Sequence, residues 1–182
     1  YNIQKENRMS RFLLIVGPSG SGKTSVCDMM KPYGKSQIAS YTTRKPRYAG
    51  EDSHTFIENY EEWKLDNPDD TIVGFTFFDG NYYWATSSQV ESNDLYVIDM
   101  AGVEYFRKNY KGNKDIRIVY IKVSIIERFK RMIKRGDSKW SVIKRIIGDL
   151  YRFRNAAQKA DFMVRNDNIW RCRDAILNYF NG

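Results

Sequence analysis

Eight consecutive residues, Gly17-Pro18-Ser19-Gly20-Ser21-Gly22-Lys23-Thr24, fit the pattern G-x-x-x-x-G-K-[ST]. Glycines let such a loop wrap with its N–H groups turned inward. Those donors, and the start of a following helix, bind oxyanions. Lys23 can then reach the outer phosphates of a nucleoside triphosphate, and the Thr24 hydroxyl can ligate Mg2+. Asp99 ends the apolar run Leu95-Tyr96-Val97-Ile98. An acid there orients the metal or its waters, or it simply caps the end of a strand. The motif points to a triphosphate donor and leaves the acceptor open.

A second anion site is written in Ser40-Tyr41-Thr42-Thr43-Arg44-Lys45-Pro46-Arg47. Arginine offers a planar fork of donors that matches phosphate. Two forks with Ser40 and a tyrosine suffice for one phosphate monoester; a solvated basic turn is the competing reading. His54 is the one histidine in the sequence. It reads either as an acceptor ligand with a pH-sensitive charge or as a polar loop residue. Arg131 and Arg135, spaced i, i+4, read either as cations for a transferring phosphate or as a solvated helix face.

These residues need elements to position them. Phe12-Leu13-Leu14-Ile15-Val16 is an unbroken apolar run, the pattern of a strand buried on both faces. A helix is predicted over residues 25–31, stopped by Pro32. Strands are predicted over 36–39, 55–57, 71–78, 82–84, 95–98, 116–123 and 162–164, with Asp79-Gly80 as a hairpin turn. Helices are predicted over 60–65, 140–160 and 170–180. Another carries Ile126, Phe129, Met132 and Ile133 on one apolar face. Strands alternating with helices imply a parallel sheet covered on both faces. The stretch 41–86 breaks that alternation and reads as an inserted small mixed or antiparallel lobe.

Over about residues 11–180 the chain resembles the guanylate kinases. The matching text is G-P-S-G-S-G-K-T at 17–24, S-Y-T-T-R-K-P-R at 40–47 and G-N-Y-Y at 80–83. It continues with D-M-A-G-V at 99–103, R-x-x-x-R-G at 131–136 and N-D at 166–167. The resemblance implies an α/β P-loop NTPase three-layer fold with a parallel sheet, a nucleoside-monophosphate (NMP)-binding lobe and a helical lid. The expected division is a tail at 1–10, a kinase core at 11–40 and 87–182, a lid at about 135–145, and the lobe at 41–86. The implied reaction is ATP with GMP or dGMP giving ADP with GDP or dGDP. Gly17, Ser19, Gly20, Ser21, Gly22, Lys23, Thr24 and Asn166 would bind ATP, with Asn166 near the adenine. Ser40, Arg44, Arg47, Tyr83 and, by replacement of a family tyrosine, His54 would hold the acceptor. Lys23, Arg131, Arg135 and Arg145 would be catalytic, with Mg2+ near Thr24 and Asp99.

The sequence departs from the family where the base is read. The family's guanine-reading glutamate falls, counting back from Gly80, on Gly74. The first acid of its D-x-D is Val97, leaving Asp99. Thr86 takes the place of a family hydroxyl only with a slipped register; with Asp99 it is a candidate replacement. Trp84 reads as core in preference to a stacking platform. The alternative functions are the same chemistry on another or modified deoxynucleoside monophosphate or on ribose 1,5-bisphosphate, and a non-catalytic binding module.

Composition narrows the rest. The 182 residues make roughly one domain at about 150 residues each. The 42% hydrophobic and 29% charged residues exclude collagen and low-complexity disorder. Two cysteines, Cys27 and Cys172, are too few for a disulfide scaffold and suit a reducing compartment, so the expected location is cytoplasmic. No apolar run approaches the roughly 20 residues of a membrane span, and the polar start lacks a signal peptide's apolar segment. The net charge of +8 favours an anionic partner. Because the basic residues cluster at two phosphate sites and a lid, the expected partners are ATP and a nucleoside monophosphate, with no nucleic acid and no membrane. The expected assembly is a monomer or homodimer.

Overall fold

A computed structural model describes residues 9–46, 49–78 and 80–182. Residues 1–8 of the expected tail at 1–10, the turn residue Asp79 and the candidate ligand Arg47 lie outside the described residues. The apolar run becomes β1 (Arg11–Val16), whose Phe12 to Val16 have no exposed surface. It sits between β6 (Leu95–Val97) and β7 (Asp115–Lys122), and β7 in turn pairs with β8 (Phe162–Arg165). All three pairings are parallel, giving the order β6-β1-β7-β8.

Alternate residues of β1 serve opposite faces, as the period of two requires. Leu13 and Ile15 pack with Val26 and Cys27 of α1 (Lys23–Asp28) and Cys172 and Ile176 of α8 (Ile169–Asn181). Phe12 and Leu14 pack with Val103 and Phe106 of α4 (Met100–Asn109) and Ala156 of α7 (Ala156–Lys159). The result is helix, sheet and helix in three layers, as predicted.

The second sheet is mixed. β2 (Ser40–Thr42) runs parallel to β3 (His54–Phe56) and antiparallel to β5 (Asn81–Thr86), which pairs antiparallel with β4 (Ile72–Phe78). β4 and β5 form the expected hairpin, with Phe78 opposite Asn81 across the turn and Gly80 at φ 75°. α2 (Tyr60–Asp66) lies beside this sheet, and Trp63 and Tyr41 close on Trp84. Trp84 is fully buried, so it is core, as expected.

Several predicted bounds move. The strand predicted at 36–39 forms at Ser40–Thr42; upstream only Gln37 makes a bridge, to Leu95. Pro32 does not end a long helix but sits inside a 3₁₀ turn, Lys31–Tyr33, where its missing N–H costs nothing. Two helices were not predicted. α3 (Ser87–Ser92) is short and is fixed by a capping box between Thr86 and Gln89. α4 is capped by Asp99, whose Oδ1 accepts the Gly102 N–H at 2.6 Å. The helix predicted over 140–160 is two: α6 (Lys139–Arg152) ends at Phe153, and α7 follows.

α5 (Ile125–Lys134) and α6 pack against each other through Met132, Val142 and Ile146. Of the predicted apolar face, Phe129, Met132 and Ile133 pack here, but Ile126 does not. Ile126 is 70% exposed, while Arg128 is 4% exposed and takes a place on the buried side. A charge can sit there because Asp149 of α6 neutralises it.

Phe106, with no exposed surface, stacks on Phe12 and Tyr110 across the layer that holds β1. Phe106→Ala is expected to lower the unfolding free energy by about 3–5 kcal/mol in urea titration. The slope of that titration should stay that of the parent.

Candidate active site

The turn from β1 into α1 is where the glycine pattern becomes geometry. Gly20 and Gly22 have φ of 75° and 84°. Both values lie in the left-handed region that other residues enter at a cost. A Cβ on Gly22 would also stand 2.6 Å from Asn166 Nδ2. Gly22 caps α1 without a side chain, which leaves the first turn's N–H groups unscreened. Ser21 is buried, and its carbonyl accepts a 2.8 Å hydrogen bond from Asn166 Nδ2. Asn166 itself is 1% exposed. It therefore lies beneath the loop and braces it. Its carbonyl accepts from Arg131 Nη2 at 2.9 Å, and Arg131 Nε pairs with Glu127 at 3.0 Å.

Lys23 is folded onto its own loop, donating to the Gly17 carbonyl at 2.6 Å and the Pro18 carbonyl at 3.3 Å. Desolvation drags its ammonium pKa from 10.5 down to about 8, against the pull of the Asp149 carboxylate. A lysine in that condition gains charge-stabilising contacts when an anion enters.

Two cavities flank the loop. One, of about 450 Å³, is lined by Ser19, Gly20, Lys23, Thr24, Arg131 and Arg145 among others. The other, of about 650 Å³, reaches from Thr24 across to Ser40 and His54 of the mixed sheet, to Glu51 in the loop before β3, and to Val97 of the parallel sheet. They share Thr24, Ser25, Arg135 and Arg145. Arg135 is half exposed and pairs with Asp137. Arg145 makes no ion pair with any described residue, so its fork faces the shared wall uncommitted.

Of the residues expected to hold the acceptor, Ser40 and His54 line the far end of the larger cavity, and Arg44 and Tyr83 lie behind them. Arg44 is clamped by Glu51, Nη2 to Oε1 at 2.7 Å and Nη1 to Oε2 at 3.2 Å. Its Nε is buried with no hydrogen-bond partner. Tyr83 hydrogen-bonds Arg44, and its ring meets His54 edge-on with centroids 5.7 Å apart. His54 Nδ1 lies 3.0 Å from Ser40 Oγ. Ser40, Arg44, His54 and Tyr83 are thus brought together. Thr86 is not among them: it is fully buried, and its hydroxyl accepts the Gln89 N–H that caps α3. That cap is why Thr86, expected at the acceptor, serves the fold instead. Asp99 is likewise committed through Oδ1 to the cap of α4, although its charge still reaches Lys23.

Four contributors were not singled out in the sequence: Glu51, Tyr96, Arg128 and Asp149. Tyr96 explains the absent side chain at Gly74, because a Cβ there would stand 2.8 Å from its ring and 2.9 Å from its hydroxyl. The buried phenol, hydrogen-bonded to Ser40, occupies that space. The one sequence signal for the Arg128–Asp149 pair was a charge interrupting an apolar helical face.

The sequence profile of the family described as guanylate kinase matches residues 9–179. The chain belongs to the guanylate kinase family. The guanylate kinase of Clostridium perfringens is 29% identical over 177 residues, covering 92% of this chain and 80% of the relative. That of Clostridium tetani is 31% identical over 173 residues, covering 88% and 81%. The crystal structure of guanylate kinase from Anaplasma phagocytophilum superposes with a TM-score of 0.68 at 18% identity, covering 96% of this chain and 86% of that one. The last likeness speaks for the fold. Guanylate kinase membership makes the chain a nucleoside-monophosphate kinase, a phosphotransferase with ATP as co-substrate. Among the described residues no helix is long and apolar enough to cross a membrane.

The state of Lys23 sets a pH dependence. Its charged form is disfavoured in the empty loop, so triphosphate affinity is expected to hold below about pH 8 and to fall as pH rises past it. Calorimetric titration across that range checks this, and Lys23→Ala should bind weakly with no break near pH 8.

Proposed function

We propose that this protein transfers the γ-phosphoryl group of ATP to the phosphate of GMP or dGMP by direct in-line displacement. The observation that carries the reading is the shared wall. Two cavities, one around the phosphate loop and one ending at Ser40, Glu51 and His54, with Arg44 and Tyr83 directly behind Glu51 and His54, meet at Thr24, Arg135 and Arg145. A donor and an acceptor bound on the two sides would bring their phosphates together there. Phosphoryl transfer asks little covalent help from a protein; it asks for alignment and for positive charge on the spreading oxygens.

The roles follow from position. The loop N–H groups and Lys23 hold the β- and γ-phosphates. Arg131, Arg135 and Arg145, on and beside the α5–α6 hairpin, neutralise the transferring group. The connection through Gly136, at φ 97°, is the hinge of a lid that excludes water. Arg44, with its buried unpartnered Nε, and Tyr83 hold the acceptor phosphate, with Arg47 as a further candidate. Ser40 and His54 line its approach. Asn166 acts on ATP indirectly, through Ser21. The acceptor phosphate oxygen is the nucleophile, so no side-chain nucleophile is needed.

Among the described residues no cluster of three or more acids, histidines or cysteines could hold a metal alone. That suits Mg2+, which binds through one or two protein oxygens and completes its shell with phosphate oxygens and water. Thr24, with Asp99 acting through water, would hold it, and it would neutralise charge on the triphosphate. The proposed setting is the cytoplasm, where the buried thiols Cys27 and Cys172 stay reduced.

A coupled ADP-release assay tests the proposal with GMP, dGMP, AMP, UMP, dTMP, dCMP and ribose 1,5-bisphosphate as acceptors. Turnover is expected with GMP or dGMP and not with the others, and Lys23→Ala should be silent. Preference for another acceptor would overturn the guanine assignment and credit the Gly74–Tyr96 arrangement with a changed specificity. Arg145→Ala should lower kcat by about 10²–10³-fold with little change in KM for either substrate, the expected cost of one lost donor to the developing charge.

A further inference from the structure

The described fold ties the phosphate loop to the α5–α6 hairpin at one peptide group. The Ser19 N–H donates to Asp149 Oδ2 at 2.8 Å, and the Ser19 carbonyl accepts from Arg128 Nε at 2.8 Å. Arg128 Nη2 closes the ring by donating to the same Asp149 Oδ2 at 2.5 Å. Arg128 comes from α5 and Asp149 from α6, and the two side chains are 4% and 3% exposed. Both backbone groups of one loop residue are therefore spent on a buried ion pair.

The placement is costly unless it does something. Burying two charges costs several kcal/mol each before their attraction is counted, and an apolar pair of the same volume often serves stability as well or better. A carboxylate beside a triphosphate site also repels the ligand. Arg128 cancels that charge, and the two together offer Ser19 a donor and an acceptor in fixed positions.

We propose that Arg128 and Asp149 are positioning residues that lock the Ser19 peptide and so set the phosphate loop's affinity for the triphosphate. This rests on the reading of that loop as the ATP site. Neither residue needs to touch the nucleotide. Asp149 acts through the Ser19 N–H; Arg128 acts by holding the Ser19 carbonyl and neutralising Asp149.

The test is Mg·ATP binding by calorimetry without any acceptor. It is paired with thermal unfolding and with steady-state kcat and KM. Asp149→Ala removes the acceptor that holds the Ser19 N–H. It should weaken Mg·ATP about tenfold, the worth of one such hydrogen bond, and leave KM for the acceptor unchanged. Arg128→Met should weaken binding further, because the carboxylate is left uncompensated. The double variant Arg128→Met with Asp149→Leu should recover Tm yet stay weak for Mg·ATP. Parental affinity in Asp149→Ala would overturn the proposal. So would recovery of both Tm and affinity in the double variant, which would mark the pair as purely structural. Failure of the parent itself to bind Mg·ATP would instead overturn the reading of the loop.

Discussion

A triphosphate must be held by groups that are already in place and already short of water. In the proposed function that demand is met at the turn after β1, and much else follows from it. The loop needs positive φ at Gly20 and Gly22, so those positions exclude side chains. It needs a lysine in a low-dielectric setting, so Lys23 is held with its ammonium reluctant to stay charged. It needs its own carbonyls satisfied from outside, because helix and strand hydrogen bonds do not reach them. Asn166 satisfies Ser21, Arg128 satisfies Ser19, and Lys23 satisfies Gly17. The loop is thus supported from β8's end, from α5 and from within.

The same economy of donors shapes the acceptor end. Arg44 is not waiting in solvent but is oriented by a two-pronged contact with Glu51. A guanidinium held this way presents its remaining edge without paying the side-chain entropy of ordering at the moment of binding. The Ser40–His54 contact and the ring of Tyr83 complete a wall whose members come from three strands of the mixed sheet.

Sequence reading reached the fold class, the turn after β1 and the grouping of Ser40, Arg44, His54 and Tyr83, because each is announced locally. Glycine spacing, an apolar run and a cluster of arginines are visible without knowing what lies across the fold. What escaped was non-local. Arg128 and Asp149 are 21 residues apart and meaningful only as a pair. Tyr96 matters because of what Gly74 lacks, on a strand of the other sheet. Thr86 and Asp99 misled in the same direction. Each is a polar residue at a helix start, and each side chain was claimed by a cap that the sequence reading did not place. α4 went unread because its start looks like the end of a strand.

β1 lies in the middle of its sheet, yet both of its neighbours come much later in the chain. During synthesis the Phe12–Val16 run leaves the ribosome before either neighbour and waits. β6 supplies one partner only after Val97 has been made, and β7 the other after Lys122. At about 5–20 residues per second, that is a delay of several seconds. Until then an apolar strand with two open edges is a template for any other chain. The nucleotide loop cannot form before the sheet closes around it, so the first bound triphosphate also marks the moment when the newborn protein ceases to be an aggregation hazard.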